Sequence, residues 1–220
     1  MVIIALADIH GSLSHLPEIA GELSKADLIL IAGDITTFGD WAAAKEIVDH
    51  IRRCNSNVLA VVGNCDRPEV NDFLTSEGIN LDSNCVNVGG VWFMGLGGSL
   101  PCHGDTSNEM LDEDFDIHLT ALEAQIPLDG HLVLVTHEPA ADTVVDISGG
   151  EHIGSHAVRD FIEENQPVLA ISGHTHEAVG IGHIGQTMLI NPGVFRHGQY
   201  ACIELDQKGI RVDLRTAPMP

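Results

Sequence analysis

Side chains that bind metals or transfer protons occur in five short clusters, and each cluster directly follows an apolar run. The clusters are Asp8-Ile9-His10, Gly33-Asp34, Gly63-Asn64-Cys65-Asp66, Thr136-His137-Glu138 and Gly173-His174-Thr175-His176. Carboxylates, imidazoles and an amide oxygen form the donor set of hard to borderline divalent metals. Such a set requires no thiolate, which argues against a structural zinc site. The residue types therefore indicate a metal centre built from oxygen and nitrogen donors.

The spacing within the clusters supports the same interpretation. Asp8 and His10 are separated by one residue, as are His174 and His176. Alternate residues of an extended segment share a face, so the two ligands of each pair can point the same way. Gly173, directly before His174, lets the backbone turn sharply and approach closely.

The apolar runs before the clusters are predicted to be buried strands, because they are short and continuously hydrophobic. The runs are Val2–Ala7, Leu28–Ala32, Val58–Val62, Leu132–Val135 and Val168–Ile171. In open α/β sheets, ligands bind beyond the carboxyl ends of the strands. We therefore expect the five clusters to converge on one rim of the fold.

The rest of the chain supplies helices and further strands. Helices are predicted at 14–26, 41–53, 68–76, 114–125 and 155–165, a hairpin around Gly89-Gly90, and late strands at 179–183, 188–190, 200–205 and 210–214. Strands alternate with helices at first and dominate later. This order predicts an α/β layered sandwich whose later part adds antiparallel strands, in a single domain spanning residues 1–220.

Two long polar segments, 99–113 and 140–154, are predicted to be loops. The segment 97–118 around the first is expected to be a lid or specificity loop, by its length and composition. His103 within it is a candidate to overhang the site. Thr106 and Glu109 have the spacing of a capping box, which predicts one turn of helix at most. A solvated loop without a role is the alternative interpretation.

The charge of the chain limits its partners. Ten Lys and Arg residues stand against 32 Asp and Glu residues, a formal net charge of −22 over 220 residues. From 104 to 164 there are fifteen acidic residues and one basic residue, so that segment carries −14. Such a surface disfavours nucleic acid and anionic membranes as partners. A small phosphoester held through metal ions remains compatible with it.

The sequence has features of a cytoplasmic protein. Five widely spaced cysteines form no C-x-x-C motif, which disfavours a disulfide framework or a zinc finger. The apolar start of the chain has no basic flank and Asp8 interrupts it, unlike a secretory signal. No run approaches the ~20 apolar residues of a membrane helix. The strand-rich C-terminal half makes a homodimer plausible.

Taken in order, the clusters D-x-H, G-D, G-N-x-D, a lone His and G-H-x-H resemble the calcineurin-like binuclear metallophosphoesterases. The variant is similar to the small Icc-related phosphoesterases, through its THEP stretch, the segment from His152 to Ser155 and the late INPG stretch. The resemblance implies a layered β-sandwich of two mixed sheets flanked by helices. It also implies hydrolysis of a phosphodiester or phosphomonoester, with diesters preferred.

The resemblance further implies two divalent transition-metal ions, drawn from Mn, Fe, Zn, Co and Ni. The first would be held by Asp8, His10 and His176, the second by Asn64, His137 and His174, with Asp34 bridging both. A metal-bridging hydroxide would attack phosphorus in line, because two ions lower the pKa of water and neutralise developing charge. Asn64, Cys65, Asp66 and His137 are the implied catalytic positions.

One position departs from the family pattern. Many members carry His where this chain has Cys65, and a neutral thiol is a weak donor near pH 7. Leaving-group protonation is therefore expected to be weak, so that activated esters are favoured. An inert Cys65 is the alternative. Asp66 is expected to orient its neighbours rather than bind metal.

Two more residues are candidates for substrate binding. His152 and Ser155 lie just before a predicted helix N-terminus, which can accept an anion. In the simpler interpretation, Ser155 only caps that helix.

Two other functions compete with a binuclear phosphoesterase. A non-catalytic interaction module on the same fold would be expected to lack metal ligands, whereas all seven positions are present. A mononuclear hydrolase would need fewer ligands than the chain offers.

Overall fold

Strands and helices alternate along the first half of the chain. The computed structural model describes residues 1–102, 104–125, 131–207 and 209–219. The helices are α1 Leu16–Leu23, α2 Trp41–Cys54, α3 Pro68–Ser76, α4 Asp112–Glu123 and α5 His156–Asn165. The strands are β1 Val2–Leu6, β2 Leu28–Ala32, β3 Val58–Val61, β4 Asn84–Val88, β5 Val91–Leu96, β6 His131–Thr136, β7 Ile147–Ser148, β8 Glu151–His152, β9 Leu169–Ile171, β10 Gly180–Ile184, β11 Thr187–Asn191, β12 Gln199–Asp206 and β13 Gly209–Thr216.

The strands form two large mixed sheets and a small ribbon. The first sheet has the order β13-β12-β1-β2-β3, and the second β10-β11-β9-β6-β5-β4. Strands β1, β2 and β3 are parallel, while β12 runs antiparallel to β1. In the second sheet β5, β6, β9 and β11 are parallel, with antiparallel β4 and β10 at the edges. Strands β7 and β8 pair as the ribbon.

The two sheets pack face to face, and helices cover their outer faces. Ile3 and Leu30 of the first sheet share a fully buried cluster with Val133 and Ile171 of the second. Ile4 points the other way, into a cluster with helices α1, α2 and α3. A third cluster packs α4 and α5 on the second sheet. Because successive strand residues face opposite sides, runs such as β1 must be apolar throughout. The predicted sandwich of two mixed sheets flanked by helices is confirmed.

Local signals in the sequence explain where some elements begin and end. Asp40 caps α2, and its side chain accepts hydrogen bonds from the backbone N–H groups of Ala42 and Ala43. Gly89 and Gly90 form the predicted hairpin turn with positive φ angles of 61° and 90°. No helix of the described residues has the length and apolar character needed to cross a membrane.

Two local predictions were wrong. Segment 140–154 contains the ribbon of β7 and β8, whose two-residue strands are too short to leave a periodic pattern. The helical turn expected at Thr106 does not form. The Glu109 carboxylate accepts from the Thr106 backbone N–H at 2.8 Å, which is one bond of a capping box. The Thr106 hydroxyl donates to the same carboxylate at 2.6 Å, so it does not supply the other bond.

Candidate metal centre

The loops after β1, β2, β3, β6 and β9 meet at one edge of the sandwich. The backbone there adopts the left-handed region at Asp8, His10, Asp34 and His174, with φ angles between 49° and 66°. Non-glycine residues held this way cost on the order of 1–3 kcal/mol each and concentrate at functional sites. The loops also bond to one another, since the His10 N–H donates to the Asp34 carbonyl at 2.9 Å. The fold therefore holds these residues in a strained arrangement.

One group of predicted ligands lies on the solvent side of the cluster. The Nε2 atoms of His10 and His176 are 3.2 Å apart. His176 Nε2 lies 3.2 Å from Asp8 Oδ1, and His10 Nε2 lies 3.8 Å from the same oxygen. The Nδ1 atom of His10 contacts the Thr37 hydroxyl at 3.1 Å, which leaves Nε2 directed at the cluster.

The second group is more deeply buried. Asn64 Oδ1 lies 2.9 Å from His137 Nε2 and 3.1 Å from His174 Nδ1. The other ring nitrogen of His137, Nδ1, lies 2.8 Å from the Ala32 carbonyl oxygen. A carbonyl can only accept, so Nδ1 carries a proton and Nε2 is the ring nitrogen that faces the cluster. His137 thus presents Nε2 as its metal-binding atom.

Asp34 lies between the two groups and faces both. Its Oδ2 atom is 3.6 Å from His10 Nε2, while Oδ1 is 3.5 Å from His137 Nε2. The backbone N–H of Cys65 donates to Oδ1 at 2.8 Å and fixes the carboxylate. A side chain at Gly63 would collide with Asp34, so only glycine permits this approach. One oxygen toward each group is the arrangement of a bridging ligand.

The charges of the cluster fit divalent cations. Within the described part of the chain, the ion-pair partners of the buried carboxylates Asp8 and Asp34 are histidines. Burial raises the pKa of Asp34, because a carboxylate removed from water is costly to keep charged. Burial, together with the charge of His137, lowers the pKa of His174 to about 3 and keeps that ring neutral. Carboxylates and imidazoles together suit divalent cations, and the donor atoms of Asp8, Asp34 and His137 lie within 4.8 Å of one another.

Asp66 ties the surrounding loops together. Its carboxylate is fully buried and accepts from the backbone N–H groups of Ile35, Thr36 and Gly63, at 2.7 to 3.1 Å, and from the Thr36 hydroxyl at 2.9 Å. Burial and the nearby charge of Asp34 raise the pKa of Asp66 to about 6. These contacts join the loops that carry Asp34 and Asn64, as an orienting residue would.

Cys65 lies beside the cluster. Its sulfur is within 4.8 Å of ligand atoms of His10 and Asp34. Burial and the charge of Asp34 raise the pKa of the thiol, so that it stays neutral. The structure therefore places a neutral thiol where many family members carry an imidazole.

The two predicted substrate-binding residues have other partners. Ser155 is fully buried, accepts from the Val158 N–H as the N-cap of α5 and donates to Asp112 Oδ1 at 2.5 Å. The capping interpretation is confirmed, and the structure gives no support to substrate contact by Ser155. The exposed His152 bonds through Nδ1 to Asp146 Oδ1 at 2.7 Å, which raises the pKa of His152.

The segment predicted as a lid or specificity loop packs directly on the loop of Asn64. The backbone N–H groups of Ser107 and Asn108 donate to the Asn64 carbonyl at 2.9 and 3.3 Å. The side chain of Asn108 donates to the Gly63 carbonyl at 2.9 Å and to the Asp66 carbonyl at 2.5 Å. His103, proposed to overhang the site, lies outside the described residues.

Sequence reasoning missed several residues that support the ligands. The Ala32 carbonyl holds His137, and the Thr37 hydroxyl contacts His10. Glu138 is fully buried, accepts from the Leu100 N–H at 2.9 Å and approaches His174 Nε2 at 3.9 Å. A backbone carbonyl carries no residue-type signal, whereas Glu138 belongs to one of the five clusters and only its supporting role was not predicted.

Comparison with known proteins identifies the family. The profile of the calcineurin-like phosphoesterases matches residues 1–178. The chain belongs to the calcineurin-like phosphoesterase family. This membership places it among metal-dependent phosphoesterases and agrees with the candidate ligand groups at the strand ends.

Individual relatives agree in sequence or in fold. The uncharacterized protein MJ1162 of Methanocaldococcus jannaschii is 32% identical over 199 residues, covering 87% of this chain and 88% of the relative. The crystal structure of TT1561 of Thermus thermophilus superposes with a TM-score of 0.75 at 18% identity, covering 96% and 97% of the two chains. The crystal structure of a dimetal phosphatase from Danio rerio superposes with a TM-score of 0.67 at 13% identity, covering 99% of each chain. These two structures share the fold.

Proposed function

We propose that this calcineurin-like phosphoesterase is binuclear and hydrolyses small phosphodiesters in preference to monoesters, within one domain spanning the chain. Asp8, His10 and His176 would hold one ion, and Asn64, His137 and His174 the other. The observation that carries the proposal is the placement of Asp34, whose two oxygens face His10 and His137 at 3.6 and 3.5 Å. A carboxylate so placed can share one ion with each group.

When bound, two such ions would lower the pKa of water and neutralise charge that develops on the phosphoryl group. The protein's own residues orient the donors. Asp34 is held by the Cys65 N–H and His137 by the Ala32 carbonyl, while Asp66 joins the loops that carry Asp34 and Asn64. Substrate would enter from the side of His176, whose side chain is 47% exposed.

The residues beside the cluster favour esters with good leaving groups. The neutral thiol of Cys65 is a poor acid, so it gives little help to an alkoxide that must be protonated as it departs. Phe38, with 44% of its surface exposed, lies next to this loop and donates its backbone N–H to the Cys65 carbonyl at 2.9 Å. An exposed aromatic ring there is suited to contact an aryl leaving group.

The test is a panel of phosphoesters on protein reconstituted separately with Mn, Fe, Zn, Co and Ni. The panel contains aryl and alkyl diesters, the matching monoesters and cyclic nucleotides. We expect two equivalents of metal per chain and a higher kcat/KM for aryl diesters than for the matching monoesters. One or zero equivalents would refute the binuclear proposal. Two equivalents without hydrolysis of any ester would favour an interaction module on this fold.

The proposed compartment is the cytoplasm, in keeping with five cysteines that lack the spacing of a disulfide framework. The substrate is proposed to be a small molecule rather than a polynucleotide, because a net charge of −22 repels a long phosphate backbone.

A further inference from the structure

The loop that packs on Asn64 carries Thr106 and Glu109, which are bonded to each other although no helix begins there. Glu109 Oε1 accepts from the Thr106 hydroxyl at 2.6 Å and from the Thr106 backbone N–H at 2.8 Å. The Thr106 oxygen in turn accepts from Asn64 Nδ2 at 3.0 Å. A chain of hydrogen bonds therefore runs from a carboxylate to a predicted metal ligand.

The direction of each bond in this chain is determined by chemistry. The bonds from Thr106 lower the pKa of Glu109, so its side chain is a carboxylate and can only accept. The hydroxyl proton of Thr106 is thereby committed to Glu109, and the remaining lone pairs of its oxygen need a donor. The NH2 group of Asn64 is that donor. Its Oδ1 atom must then face the opposite way, toward His137 and His174.

The orientation matters because the oxygen and nitrogen of an asparagine amide are almost equal in size. Packing alone barely distinguishes the two orientations, and a flipped amide would present N–H donors to a cation. The sulfurs of Cys65 and Cys102 lie 3.7 and 3.6 Å from Asn64 Nδ2, but sulfur is a weak acceptor. The hydroxyl oxygen of Thr106 is therefore a stronger acceptor for this NH2 group than either sulfur.

We propose that Thr106 and Glu109 are positioning residues that hold the Asn64 amide with its oxygen toward the ion shared with His137 and His174. The inference rests on the proposed binuclear site. It gives the loop a role in metal binding, in addition to any contact with substrate.

The main variant is Thr106→Val, which keeps the shape of the side chain and removes the hydroxyl. We expect calorimetric titration of the metal-free protein with Mn²⁺ to show one of two ions bound about tenfold more weakly, because partners of metal ligands contribute about 10–100-fold to affinity. Thr106→Ser restores the hydroxyl and should bind both ions within about twofold of the unmodified protein.

The control is Thr75→Val. The Thr75 hydroxyl also accepts from an asparagine amide, that of Asn80 at 2.8 Å, and donates to a carbonyl, that of Asn71 at 3.0 Å. It lies in α3, away from the ligand groups. Loss of this hydroxyl should leave the affinity for both ions unchanged.

A second readout needs no metal. In the metal-free protein the side-chain NH2 resonances of Asn64 should exchange slowly with solvent, and Thr106→Val should speed that exchange at unchanged melting temperature. If Thr106→Val destabilises the fold, Glu109→Ala is used in its place. This variant frees the hydroxyl proton of Thr106 and should weaken the binding of the same ion. Glu109→Gln keeps an acceptor and should remain close to the unmodified protein.

Equal Mn²⁺ affinity and equal amide exchange in folded Thr106→Val, or in folded Glu109→Ala where that replaces it, would overturn the inference. The two proposals fail separately. A protein that binds two ions but hydrolyses no phosphoester refutes the proposed activity and leaves the Thr106 effect on metal binding measurable. A protein that hydrolyses phosphoesters with no effect of the chosen variant refutes only the inference.

Discussion

The two ligand groups form two halves of the candidate metal centre, and these halves differ in their exposure to solvent. The half containing His176 is open, and that side chain is 47% exposed. The half containing His137 is closed, with that ring fully buried and bonded to the Ala32 carbonyl. A buried, pre-oriented donor loses little freedom when an ion binds, whereas an exposed one must be ordered. We therefore expect the closed half to bind its ion more tightly and the open half to receive substrate.

Asp34 is the residue that the two halves share, so its replacement is expected to have the largest effect. Asp34→Asn removes the negative charge between His10 and His137 while keeping the shape. We expect loss of most bound metal and a fall in kcat/KM of at least ~100-fold. Elemental analysis and esterase assays measure both. Full activity in this variant would refute the bridging role.

Separate replacement of one histidine in each half tests the difference directly. His137→Ala should remove the tightly bound ion and destabilise the metal-free fold by about 2 kcal/mol, because it deletes a buried ring and leaves the Ala32 carbonyl unpaired. His176→Ala should weaken the binding of only the other ion. It should change the free energy of unfolding by less than ~1 kcal/mol, since the pair with Asp8 is partly exposed. Urea unfolding and metal titration distinguish the two. Equal losses from both variants would remove the distinction between the halves.

Cys65→His examines the open half, where the sulfur lies near His10 and Asp34. An imidazole can protonate a leaving group that a neutral thiol cannot. We therefore expect the ratio of kcat/KM for aryl over alkyl phosphoesters to fall about tenfold, mainly through faster alkyl hydrolysis. Cys65→Ser is the matched control and should keep the original ratio. An unchanged ratio in Cys65→His would mean that Cys65 has no part in leaving-group departure.

The smallest expected effect concerns His152, in the ribbon beside the open half. The ribbon contacts the loop of His176, because the Gly149 N–H donates to Glu177 at 2.9 Å. The hydrogen bond to Asp146 raises the pKa of His152 in the folded state. The stabilisation is therefore complete below the unfolded pKa of about 6.5 and is lost as pH rises through the folded value. The free energy of unfolding, measured from pH 5 to 9, should fall with rising pH in the unmodified protein, and His152→Gln should lack this contribution. The same pH dependence in both proteins would contradict the assignment.

Features that depend on neighbouring residues could be predicted from the sequence, whereas contacts between residues far apart in the chain could not. Continuous apolar runs such as β2 predicted buried strands, and Asp40 predicted the start of α2, because burial and capping depend on residues that are neighbours in the sequence. The ribbon of β7 and β8 was missed because two-residue strands leave no pattern. The partnership of Ser155 with Asp112 joins positions 43 residues apart, which no local spacing reveals.

The ligand types, their order and the strands that they follow could be predicted from short segments of the chain, because donor chemistry and strand burial are local properties. Two features require the folded chain: which ring nitrogen of His137 faces the cluster, and which amide atom of Asn64 faces inward. The first depends on Ala32, 105 residues away, and the second on Thr106, 42 residues away. The physical reason is that hydrogen bonds orient a side chain only after the fold has brought distant donors and acceptors together.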